Sequence, residues 1–95
     1  MLNADQAQLV IDRGIRAGDL LANGSFAWIV DDQTTYHLAA LVAAPPGPRG
    51  ADAVAYHHLQ QHALTELVAS LRGYVEAGEA MRRALEDEHE QEDEI

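Results

Sequence analysis

The stretch AYHHLQQHALTEL, residues 55–67, sets His57, His58, His62 and Glu66 within ten positions, enough side chains to hold a metal or move a proton. His58, His62 and Glu66 step four residues apart, so on a helix they share one side, and histidines at that spacing can chelate zinc. That row lies about 150° from the apolar stripe that includes Leu67, so it faces solvent and lacks the outer partners that orient metal-bound imidazoles. Leu59 stands where the zinc-protease pattern requires a glutamate base, which removes the hydrolase reading. His58, His62 and Glu66 are therefore read as a solvated face, and the only metal candidates the chain offers. Tyr56 and His57 fall at the edge of the stripe, as core boundary.

The other chemistry-bearing residues form no constellation. His37 could act as a general base, but Ser25, Thr35 and Ser70 sit in no nucleophile-presenting turn, and no phosphate-cradling glycine loop is present. Asp31 and Asp32 read as turn residues whose carboxylates bond their own backbone. No catalytic residues and no cofactor are expected: the chain reads as a non-enzyme.

Ninety-five residues make one domain, able to hide roughly 60 to 65% of its unfolded surface. Without cysteine there is no disulfide framework and no thiolate site, which points to a cytoplasmic setting, the host cytoplasm if the gene belongs to a phage. The first twenty residues carry Asp5, Asp12, Arg13, Arg16 and Asp19, unlike a secretion signal, and no apolar run approaches the about 20 residues of a membrane span. The formal charge of −10 is concentrated at one end: residues 86–95 hold seven of the 16 acids and no arginine, leaving nine acids against six arginines before them. Direct binding to nucleic acid, which needs clustered basic residues, is not expected.

These residues need elements to position them. Asn3 and Gln6 form a capping-box pattern that starts a first helix, and Ala7, Val10, Ile11, Gly14, Ile15, Ala17 and Leu21 recur at helical spacing. Gly14 and Gly18 either permit close approach by another element or mark a premature end, and close packing is the reading taken. Asn23-Gly24 reads as a left-handed cap ending this helix near Ala22; a three-stranded meander from about Asp19 is the alternative. SFAWIV (25–30) and TTYHLAALV (34–42), rich in branched and aromatic residues and separated by Asp31-Asp32-Gln33, predict a β-hairpin. Phe26, Trp28 and Val30 then face one way, with Tyr36, Leu38, Ala40 and Val42 as the matching set, and the aromatics anchor the core. PPGPRG, residues 45–50, predicts a stiff connector.

From Asp52 a second helix continues to about Glu88, with Leu64, Leu67, Val68, Leu71, Tyr74, Val75, Gly78, Met81 and Leu85 on one stripe. It is expected to break near Gly73 or Gly78, or to reach outward and pair with another copy. The expected architecture is α+β, in the order α-β-β-α, over residues 1–85, followed by an acidic tail over 86–95.

Two functions fit that plan. The first is an inhibitor or regulator that covers the basic, nucleic-acid-binding surface of a target protein, as phage anti-defence and anti-CRISPR proteins of similar size and charge do. Its contact residues would be Glu79, Glu86, Asp87, Glu88, Glu90, Glu92, Asp93 and Glu94. The second is a homodimeric scaffold or chaperone that joins through Leu64, Leu67, Leu71, Tyr74, Met81 and Leu85, with the tail only solubilising.

Overall fold

The computed structural model describes residues 3–93. Among them the chain forms three helices: α1 (Ala4–Ala22), α2 (Gly24–Ala43) and α3 (Pro48–Asp93). No strand occurs among the described residues, so the α+β expectation is overturned and the predicted hairpin is α2.

The first helix starts as its capping box requires. The Asn3 side chain accepts from the Gln6 amide at 2.8 Å, and Gln6 Oε1 accepts from the Asn3 amide at 3.1 Å, so two otherwise orphaned donors are satisfied. At the other end, Asn23 does not close α1 in a left-handed conformation. It is extended (φ −74, ψ 120) and is the N-cap of α2, its Oδ1 accepting from the Phe26 amide at 3.0 Å.

That cap explains why residues 24–43 are helical despite their strand-like composition. Apolar residues occur on all sides of α2, so selected positions alternate as in a strand while others recur at three and four. Phe26, Val30, Thr34, His37 and Leu41 form the helical row that continues to Ala44 just past the helix, and with Ala40 these are the positions with reduced exposure. The alternating aromatics do not anchor a core: Trp28 is 67% and Tyr36 58% exposed, and only Phe26 is half-buried.

The proline-rich connector is shorter than expected, because Pro48 opens α3 rather than preceding it. Proline suits a first helical turn, where its missing N–H has no intrahelical acceptor. The turn needs glycine twice. Gly47 has φ 95, in the region that penalises a side chain, and a Cβ on Gly50 would collide with the Pro45 carbonyl.

Helix α3 does not break at Gly73 or Gly78. Each glycine costs about 1 kcal/mol relative to alanine, too little to interrupt a helix continued on both sides by Leu, Ala, Glu and Arg. Its distal part is supported by the Arg82–Glu86 pair at 2.7 Å and the Glu79–Arg83 pair at 3.9 Å, exposed i,i+4 contacts worth a few tenths of a kcal/mol each. The predicted tail therefore continues the helix as far as Asp93.

The chain divides into two units. In the first, residues up to Leu21 pack on α3 from Ser70 onward. Here Gly14 and Gly78 meet face to face: a Cβ on Gly14 would lie 2.8 Å from the Tyr74 carbonyl oxygen and 3.0 Å from Gly78 Cα. Two helices approach this closely only where neither carries a side chain, and Ala7 and Ala17, both buried, extend the contact with small residues. The expected close approach at Gly14 is present. In the second unit, residues 22–69, α2 packs on the first part of α3. That seam is partly polar: Thr34 and His37 of α2 and His57 and Gln61 of α3 are among its positions of reduced exposure. No large side chain among the described residues is fully buried.

Candidate functional site

His58, His62 and Glu66 are all exposed, as the helical spacing requires. His62 Nε2 lies 4.0 Å from Glu66 Oε1, with both side chains more than 60% in solvent. Among the described residues no group of three His, Cys, Asp or Glu side chains could hold a metal ion.

The second unit instead brings together two histidines from different helices. His37, only 6% exposed, places its Nδ1 2.8 Å from Nδ1 of His57. A neutral imidazole has one N–H and one lone pair, so one ring donates from Nδ1 and the other, protonated on Nε2, accepts. Each helix supplies the same dipeptide, Tyr-His. Tyr36 stands edge-on to both imidazoles, with ring centres 5.1 and 5.6 Å away, and Tyr56 stands edge-on to His57 at 5.0 Å. His37 is thus engaged and covered, not presented to a substrate as a base. One turn beyond His57, the buried Gln61 Oε1 accepts no hydrogen bond. The pair ties α2 to α3 across a seam whose half-buried apolar positions include Phe26, Val30, Leu41, Leu64 and Val68.

The sequence places His57 at a core boundary, and it is half-buried there. The contact with His37 is missed because a strand reading turns His37 and Leu41 away from the assumed core face of Tyr36, Leu38, Ala40 and Val42, and puts Val30 on another strand. On a helix the three share a side, and that spacing is the signal.

The rest of α2 is its outer face. Trp28, Thr35, Ala39 and Val42 lie roughly opposite Val30, His37 and Leu41 at 100° per residue, and all four are exposed, Val42 by 89%. These positions, with Asp32 between them, repeat at seven-residue steps as a second seam.

The first unit carries a shallow groove of about 230 Å3. Ala17 and Leu20 of α1 and Leu71 and Tyr74 of α3 line its apolar part, and Arg13 and Arg16 stand at its rim. Tyr74 is 48% and Leu20 41% exposed, and neither arginine makes an ion pair among the described residues.

The predicted self-association stripe is divided. Leu64, Leu71 and Met81 are half-buried by neighbouring helices, whereas Leu67, Tyr74 and Leu85 remain exposed. Of the acidic residues, Glu79 and Glu86 are exposed and paired to Arg83 and Arg82; Asp87, Glu88 and Glu90 are exposed without an ion pair among the described residues. The side chains of Glu92 and Asp93, and Glu94 as a whole, lie outside the described residues. No family model, curated protein or solved structure matches this chain.

Proposed function

We propose that this protein is a non-enzymatic association module, a set of helices whose role is to assemble with protein, foremost with further copies of itself. The observation that carries this reading is α2: apolar residues surround it, yet His37 is its only buried residue. A helix apolar on every side is stable where every side is covered. No helix among the described residues is long and apolar enough to cross a membrane, and the mixed Trp28, Thr35, Ala39, Val42 face suits another helix. Covering the exposed two-thirds of Trp28, about 150 Å2, is worth about 4 kcal/mol before the entropic cost of association.

The polar seam supports the same reading. Thr34, His37, His57 and Gln61 occupy positions where a self-sufficient helix pair carries leucine or valine, and among the described residues fourteen large apolar side chains are at least 39% exposed. Sedimentation velocity from micromolar to millimolar concentration tests this. A sedimentation coefficient that rises with concentration, and stops rising in a Trp28→Glu/Val42→Glu variant, supports the proposal. A monomer at every concentration overturns it.

A second reading rests on the distal end of α3. Asp87, Glu88 and Glu90 project from an ordered helical segment, which suits an encounter with the basic surface of a protein that handles nucleic acid. In that reading capture of such a partner weakens steeply with salt and is lost when residues 86–95 are deleted; unchanged affinity after the deletion removes it.

A further inference from the structure

We infer that the arginine-rimmed groove of the first unit is a docking site for the acidic end of α3 from a second, antiparallel copy. The inference rests on the self-association reading and assigns it a contact.

The groove and its proposed occupant are complementary in charge. Arg13 and Arg16 are exposed cations without an ion pair among the described residues, beside the partly exposed Leu20 and Tyr74. Asp87, Glu88 and Glu90 are exposed anions in the same condition, on a helical segment that also offers Leu85, 39% exposed. An apolar side chain next to carboxylates is what an apolar groove next to guanidiniums fits, and arginine binds carboxylates in a bidentate geometry.

The two cannot meet within one chain. Tyr74 and Glu88 lie on the same unbroken helix, so about 21 Å separates their levels at 1.5 Å per residue, and the acidic segment cannot fold back while α3 remains helical. The orientation follows from the same charges. Parallel copies would set acidic end beside acidic end, which repels. Antiparallel copies put each acidic end beside the other's Arg13 and Arg16, and the same contact forms twice about a twofold axis, closing the pair.

The absence of native cysteine makes thiol trapping a direct test. Full-length Arg16→Cys and Glu88→Cys proteins, each checked for native helicity, are mixed and oxidised with glutathione disulfide, while the unaltered protein is followed by sedimentation. The expected result is a disulfide between positions 16 and 88 of different chains, formed at least tenfold faster than either symmetric disulfide and slowed by high salt, which screens exposed charges. If the unaltered protein self-associates but the 16–88 disulfide does not form preferentially, the groove contact is overturned and the association module stands. If the unaltered protein is monomeric and no disulfide forms, both fall. If a monomer instead binds a glutamate-rich helical peptide, and an Arg13→Glu/Arg16→Glu variant does not, the groove belongs to a foreign acidic segment and pairing with a second copy is overturned.

Discussion

Replacing Gly14 by alanine would put a methyl group 2.8 Å from the Tyr74 carbonyl oxygen and 3.0 Å from the Cα of Gly78. Both neighbours are backbone atoms, so neither can turn aside, and α1 and α3 must move apart in the first unit. Overpacking of this kind costs about 1 to 3 kcal/mol, and the better helix propensity of alanine returns about 1 kcal/mol, leaving a net loss of about 1 kcal/mol. Gly73 lies on the same part of α3 with nothing within 4 Å of its would-be Cβ, so alanine there gains about 1 kcal/mol of propensity with no clash. The two variants should therefore differ by about 2 kcal/mol, which for a chain of this size is a separation on the order of 10 °C in thermal midpoint. Circular dichroism melts at one fixed protein concentration measure it, because association makes the midpoint concentration-dependent. Gly78→Ala, whose Cβ would fall 3.1 Å from Gly14 Cα and 3.2 Å from the Val10 carbonyl oxygen, should follow Gly14→Ala. If Gly14→Ala melts at or above the temperature of Gly73→Ala, the face-to-face glycine crossing is wrong.

The imidazole pair should behave as a coupled unit: His57→Leu strands the buried Nδ1 of His37 and costs about 1 to 3 kcal/mol, whereas replacing both histidines by leucine costs much less than the sum of the single changes. A double-mutant cycle by urea unfolding checks this, and additive effects would dissolve the contact. Asn23→Ala removes the α2 cap and should cost about 1 kcal/mol, while Asn3→Ala, at the outer end of α1, should only fray the first turn. Amide exchange at Phe26 and Gln6 separates those two outcomes.

Much of the first helix was legible because its signals are local. The Asn3-Gln6 box, the stripe and the close approach at Gly14 depend on neighbours within a few positions, and each has its expected place except Ile15 of the stripe, which is 58% exposed. The middle of the chain was not legible as helix because its signals conflict. Branched and aromatic residues over 25–42 favour a strand weakly, by preferences that surroundings override, and Asn23 can end one helix or begin the next. The decisive feature was the length free of glycine and proline from Ser25 to Ala44, joined to the step of three and four through Val30, Thr34, His37 and Leu41. The histidines nearest each other in sequence, His57 and His58, diverge in space, whereas His37 and His57, twenty residues apart, make contact. No spacing rule relates positions on two helices until both helices are known. The acidic end was visible as composition, but its continuation as helix to Asp93 was not, because like charges alone suggest fraying.

Trp28, the only tryptophan in the chain, reports directly on the outer face of α2. Its accessibility to a water-soluble quencher such as iodide, measured across protein concentration, tests whether that face is a surface meant to be covered. The account predicts strong quenching in dilute protein, with protection and a blue-shifted emission as concentration rises and copies associate. Equal quenching and an unshifted spectrum at every concentration would contradict it.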